Sequence, residues 1–185
     1  DLNEGPGSFT LGNNQLYCTY SDNTNPDTIH LLTLDEGLQL VREKTFVENG
    51  PYDRVIGSDL LYMPEGYLIG ATLANRDGWA NGGITRIDTL GNIEWQVLLD
   101  SSAFNYQTSR PRLAPLPNDR FAIGWVIDLH IPDIHDQTYT VYCMDGMGEI
   151  KWNLPVLIPD TRQTELFDIF STANGDVIGV GYSRQ

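Results

Sequence analysis

Residues 82–99 read GGITRIDTLGNIEWQVLL, an apolar run that stops at Asp88, turns through Gly91 and restarts as a second run carrying Trp95. Taken alone this is a β-hairpin: β-branched residues fill both arms, and the residues between them form turns readily. It has echoes. Residues 139–156, YTVYCMDGMGEIKWNLPV, lay Asp145 on Asp88, Gly148 on Gly91, Ile150 on Ile93 and Trp152 on Trp95, with the same turn length. Residues 29–46, IHLLTLDEGLQLVREKTF, keep Asp35 and Leu40 and place Arg42 where Trp is expected.

The segments upstream repeat as well. DLLYMPEGYLIGATL (59–73), PRLAPLPNDRFAIGWVI (111–127), FDIFSTANGDVIGVGYS (167–183) and GSFTLGNNQLYCTYS (7–21) each read as strand, tight turn, strand. Their turns fall at Glu65-Gly66, Asn118-Asp119, Asn174-Gly175 and Asn13-Asn14, residues that accept the positive φ of a short hairpin. The period is about 52 to 57 residues. Each period holds four strands, A to D in chain order, with tight A–B and C–D turns and variable B–C and D–A connections. The repeats run approximately over 7–54, 55–107, 108–162 and an incomplete 163–185. No long window shows helical periodicity. DTRQTELFDIF (160–170) has room for a helical turn and reads as the loop into the last strand A.

In strand C of the second period Ile84 and Arg86 share one face and Thr85 and Ile87 the other; in the third, Val141 and Cys143 oppose Tyr142 and Met144. Both faces are largely apolar, which predicts sheets covered on both sides, as when four-stranded blades stack around an axis. The expected fold is therefore an all-β, β-propeller arrangement of four-stranded antiparallel blades, about three and a half of them present. A two-sheet sandwich also has short strands at regular spacing but requires no turn motif in constant register.

These residues resemble bacterial propeller repeats with an Asp-x-x-Gly and Trp signature at the C–D corner. Repeats of the pyrroloquinoline-quinone type and those of secreted or surface-anchored Bacteroidetes-like proteins are of this kind. The matches are Asp88, Gly91 and Trp95, then Asp145, Gly148 and Trp152, with Asp35 in part. The resemblance implies a corner made by Asp-x-x-Gly and a Trp docked between blades; it implies a fold and leaves function undetermined. The adjacent cysteines of quinone-dependent propeller enzymes are absent. The chain opens at Asp1 and stops after a strand B. Because an unclosed stack leaves apolar faces bare, further blades are expected from the same longer chain or from another chain.

Composition narrows the partners. With 25 acidic against 11 basic residues and a net charge of -14, the chain repels phosphate backbones and anionic surfaces, so nucleic acid is not expected. No run reaches the roughly 20 apolar residues of a membrane span, so no membrane insertion is expected. Cys18 and Cys143 sit in apolar runs, as small buried hydrophobes do. Nothing in their spacing resembles a disulfide framework.

The sharpest polar cluster is DLHIPDIHD, with Asp128, His130, Asp133, His135 and Asp136 in an enlarged B–C loop. Imidazole and carboxylate donors could hold zinc or another transition ion, although histidines five apart around a Pro follow no established ligand spacing and a solvated loop on an acidic protein is the ordinary reading. SDNTNPDT (21–28) and ANRDGWANGG (74–83) carry oxygens suited to calcium without matching an EF-hand, and ordinary turn residues account for them. Trp79 stands at a loop tip, a contact for a protein or glycan or a lid on a neighbouring loop. There is no Gly-x-Ser-x-Gly, His-Glu-x-x-His or phosphate loop. The expected function is a non-catalytic binding or scaffolding module of an extracellular or cell-surface protein, recognising a protein or polysaccharide through its loops. The alternative is a propeller lyase or hydrolase with a metal-assisted site on the B–C face.

Overall fold

The computed structural model describes residues 4–5, 8–22, 28–47, 54–63, 65–74, 79–103, 111–131, 134–157 and 163–184. All regular structure among them is β, arranged as four antiparallel sheets in chain order. In the first sheet β1 (Glu4–Gly5) and β2 (Phe9–Gly12) both pair with β3 (Gln15–Asp22), which is followed by β4 (Thr28–Leu34) and β5 (Leu40–Val47). The second runs β6 (Arg54–Met63), β7 (Gly66–Ala74), β8 (Trp79–Asp88) and β9 (Ile93–Ala103). The third runs β10 (Arg112–Leu116), β11 (Arg120–Ile131), β12 (Ile134–Asp145) and β13 (Ile150–Leu157). The fourth is β14 (Gln163–Ser171) paired with β15 (Val177–Arg184).

The turns follow from residue chemistry. Asn13 and Asn14 take φ of 49° and 58°, and Asn118 and Asp119 take 63° and 52°. Asparagine and aspartate tolerate this left-handed region because a short polar side chain can bond locally. Each C–D corner spans five residues between the paired ends Leu34 and Leu40, Ile87 and Ile93, and Met144 and Ile150. In each, the Asp Oδ1 accepts two backbone N–H groups: Gly37 and Gln39 on Asp35, Leu90 and Asn92 on Asp88, Met147 and Glu149 on Asp145. The fourth residue turns left-handed, and Gly91 and Gly148 both have φ 84°. In the first repeat Leu38 fills that place at φ 59°. One corner differs from expectation. The β14–β15 turn is also five residues long, with Thr172 Oγ1 accepting the Asp176 N–H at 3.1 Å and Gly175 at φ 86°. An A–B turn here takes the C–D form because threonine at its first position can bond the backbone as aspartate does.

Packing shows a stack. Between the first and second sheets lie Tyr17, Ile29, Leu31, Ile69, Leu73 and Ile87; between the second and third lie Leu68, Ile84, Leu99, Phe121, Ile123 and Trp125. Between the third and fourth are Ala114, Ala122, Tyr139, Leu166 and Ile169. Ile87 and Ile84 thus serve opposite faces of one sheet, as do Phe121 and Ala122, so the interior sheets are apolar on both sides. A two-sheet sandwich has no such interior sheet. Trp125 is fully buried, and truncating such a side chain costs about 3–5 kcal/mol.

Several strands run further than their sequence reads. Residues 163–170 are strand, with no helical turn. Of DLHIPDIHD, residues 128–131 and 134–136 continue the β11–β12 ladder in place of an open loop, because cross-strand pairing overrides the turn-forming composition. Trp79 is the first residue of β8, opposite Ala103, and not a loop tip. Cys18 and Cys143 are free thiols in different sheets.

Candidate functional site

The stack has two ends. One carries the A–B turns and C–D corners; at the other, strands B and D finish.

At the corner end, the residues that look most chemical join one sheet to the next. Trp95 on β9 donates its indole N–H to the carbonyl of Gly146 at 3.0 Å and stacks on Phe121. Arg86, beside it on β8, donates Nη1 to the same carbonyl at 2.8 Å, so one oxygen takes two donors. Its Nε pairs with Glu94 at 2.8 Å, while Glu65 and Asp119 lie 3.7 and 3.8 Å from its other nitrogens. A Cβ on Gly148 would stand 3.1 Å from the Trp95 ring, so glycine there serves both the turn and the docking. Between the first and second sheets Arg42 Nη2 donates to the Thr89 carbonyl at 3.0 Å, and the Lys44 stem lies over Gly91.

The corner carboxylates are similarly engaged. Asp88 is held below its ordinary pKa, chiefly by the Asn92 backbone N–H and then by the Asn92 side chain. Asp145 is lowered chiefly by Lys151, whose Nζ lies 2.5 Å from Asp145 Oδ2 and 2.8 Å from Glu149. Lys151 is in turn raised to about 12 by these two carboxylates.

Asp59 on β6 joins three sheets. Its Oδ1 accepts the Ser8 hydroxyl at 2.7 Å and the Leu60 N–H at 3.0 Å; its Oδ2 accepts the Leu113 N–H at 2.9 Å. It is buried, and three donors satisfy a carboxylate that would otherwise be costly to desolvate. Local pattern carries no signal of this residue, because its partners Ser8 and Leu113 lie 51 and 54 residues away.

A second cluster outside the sequence reading involves His30 on β4. The ring stacks on Tyr20 with centroids 4.4 Å apart, Nδ1 lies 2.9 Å from Glu43 Oε1, and the buried Nε2 has no hydrogen-bond partner among the described residues. His30 pairs directly with Thr45, two residues beyond Glu43 on β5, so the contact is diagonal and depends on register.

At the opposite end the feature that does not repeat is the β11–β12 hairpin. Both strands have 12 residues, against 9 and 10 in β7 and β8 and 8 and 7 in β3 and β4. At about 3.4 Å per residue this lengthens the paired ladder by roughly 7–10 Å relative to that of the second sheet. Register places His130 opposite His135, Asp128 opposite Gln137 and Leu129 opposite Asp136. The two histidines are thus brought together as cross-strand partners, and Asp136 is out of phase with them. Asp133 lies outside the described residues, as do residues 23–27 and 75–78 of the calcium-suited segments 21–28 and 74–83. Among the described residues no three His, Cys, Asp or Glu side chains form a metal-sized group.

A cleft of about 580 Å³ opens between the third and fourth sheets, lined by Val141, Trp152, Leu154, Leu166, Ile169 and Val177.

The class that this stacking defines is the β-propeller, and comparison with solved structures gives the same fold. A thermostable family-43 glycoside hydrolase superposes with a TM-score of 0.65 at 12% identity, over 100% of this chain and 65% of its own. The sucrose-6-phosphate hydrolase of Lactobacillus gasseri superposes with a TM-score of 0.59 at 13% identity, over 96% of this chain and 41% of its own. The chain thus spans less than two thirds of either propeller protein, and at such identities the likeness is one of fold. No protein-family model and no characterised protein matches the sequence itself.

Proposed function

We propose that the chain is a recognition or scaffolding module of an extracellular or cell-surface propeller protein, taking a protein or polysaccharide at the end where the B–C connections lie. The observation that carries this reading is the β11–β12 hairpin, whose ladder is longer than those of β3–β4 and β7–β8 and sets His130 opposite His135. A stiff paired extension offers a ligand a surface with little ordering cost. The repeated Asp, Trp and Arg side chains at the other end serve the fold, which leaves recognition to the parts that vary. A net charge of -14 favours a neutral glycan or a basic protein surface over an anionic one.

The test is binding of the parent and of a His130→Ala/His135→Ala variant to immobilised neutral and acidic polysaccharides and to basic proteins. Retention of the parent on one class, weakened at least tenfold in the variant, supports the reading; equal retention of both overturns it.

A second reading is a metal-assisted lyase or hydrolase using zinc or calcium at the same hairpin. It is favoured by the two fold neighbours, both hydrolases by name. Release of reducing sugar that depends on added metal and on both histidines would select it over the first.

A further inference from the structure

Register puts Leu68, Arg86 and Trp95 in one row across the second sheet, and Tyr17, Thr33 and Arg42 in the matching row of the first. Arg86 and Trp95 both reach the Gly146 carbonyl and close the junction with the third sheet. In the first sheet the middle place holds the short side chain of Thr33, while Arg42 crosses to the next corner at Thr89. A pocket of about 390 Å³ is left between the first and second sheets, near the lower end of the range of small-molecule sites.

Its walls are mostly polar. Asn13, Gln15, Tyr17, Thr33, Arg42 and Tyr67 line it, and none of its described lining residues is acidic. Arg42 is the one charged group among them, and among the described residues its guanidinium makes a single bond, from Nη2 to Thr89. It therefore keeps N–H donors for a second acceptor. Tyr17 donates its hydroxyl to Gln15 Oε1 at 2.9 Å, which leaves the Gln15 amide N–H groups to donate in turn. Tyr67 packs on Tyr17 with ring centroids 4.7 Å apart; burial, and then a hydrogen bond with Tyr17, push its phenol above the ordinary pKa and keep it neutral. Thr33 is 4% exposed, and its buried hydroxyl has no hydrogen-bond partner among the described residues. Buried hydroxyls are ordinarily paired, so a partner is to be supplied from the pocket.

We infer that this pocket binds a small hydroxylated carboxylate of monosaccharide size, with the carboxylate on Arg42 and the hydroxyls on Thr33 and Gln15. A surplus of donors around one guanidinium, with no acidic residue in the wall, selects an acceptor-rich anion. The chain's net charge of -14 acts at long range and is screened beyond about 8 Å at physiological salt, whereas Arg42 acts in contact. The pocket lies at the corner end and is independent of the recognition proposed above for the β11–β12 hairpin.

Sodium glucuronate, with glucose as its uncharged counterpart, serves as the probe in an NMR titration of the protein. Saturable 1:1 binding of glucuronate is expected, with shifts centred on Gln15, Thr33 and Arg42, and about tenfold weaker binding of glucose. Arg42→Ala should weaken glucuronate binding about tenfold or more. Thr33→Val, which keeps the shape of the side chain and loses the hydroxyl, should weaken it about fivefold. Folding of both variants is checked by circular dichroism, and Thr33→Val alone suffices should Arg42→Ala fail to fold. Lack of saturable binding, glucose affinity equal to that of glucuronate, or parent-like affinity in either folded variant overturns the assignment.

Discussion

Arg42 and Trp95 occupy the same step of successive repeats and make the same bond, each donating at 3.0 Å to the carbonyl one residue beyond the next corner Asp. A guanidinium and an indole have little in common except a planar N–H donor on an extended side chain. That shared property is what the position requires, with Lys44 supplying over Gly91 the apolar cover that the indole ring supplies over Gly148.

Trp95→Phe should therefore cost about 1 kcal/mol, the worth of one hydrogen bond, and Trp95→Ala about 3 kcal/mol through lost packing on Phe121. Arg42→Ala, whose bond is exposed, should cost less than 1 kcal/mol. Urea unfolding of the three variants checks the order. Equal losses in Trp95→Ala and Arg42→Ala would contradict it.

Asp59→Ala leaves the Leu113 N–H and the Ser8 hydroxyl without their acceptor at the junction of three sheets. A loss of about 2–4 kcal/mol is expected, with Asp59→Asn intermediate because its carbonyl keeps one of the bonds. Amide exchange at Leu113 should quicken in both variants. An unchanged Leu113 would show that the bond contributes nothing there.

Leu38 is exposed at a left-handed φ of 59°, where other repeats have glycine. Leu38→Gly should stabilise the protein by about 0.5–1 kcal/mol, the relief of backbone strain less the entropy of a freer unfolded chain. Thermal melting reads this directly, and a lowered midpoint would refute it.

Asp88 and Asp145 are held below the ordinary carboxylate pKa of 3.8. Groups depressed in the folded state stabilise it above that value and lose their contribution as pH falls through the folded pKa. Melting temperature should hold from pH 7 to about pH 5 and drop below about pH 4. Asp145→Asn keeps an acceptor for Met147 and Glu149 but cannot ionise, so its acid-side slope should be shallower than the parent's. An identical slope would exclude Asp145 as a source. Lys151, raised to about 12, acts oppositely: its contribution is present below the ordinary lysine value of 10.5 and is lost as pH rises through about 12.

The repeating corners and the two-sided apolar strands were legible because the same residue types recur in constant register, and recurrence separates a fold requirement from chance. The strand ends were not. Asn81, Gly82 and Gly83 after Trp79, and Asp128 and Asp136 around His130, have turn composition, and only the partner strand makes them ladder residues. Asp59, Arg86 and His30 were illegible for a related reason. Each draws its meaning from atoms 13 to 60 residues away, which local pattern does not encode. The functional reading rests on the part of the chain that does not repeat, where a single sequence offers no second copy for comparison.

The bonds from Arg42, Arg86 and Trp95 all run one way, with the donor on strand C or D of one sheet and the acceptor on the corner of the next. In symmetry terms each junction is heterologous, the kind that builds rings or filaments and never closes as a self-complementary pair. The stack therefore has a polarity, and an inverted sheet would set donor against donor. It follows that a circular permutation cut in a D–A connection would leave every one of these bonds in place, whereas a cut at a corner would remove the acceptor on which two neighbouring sheets meet.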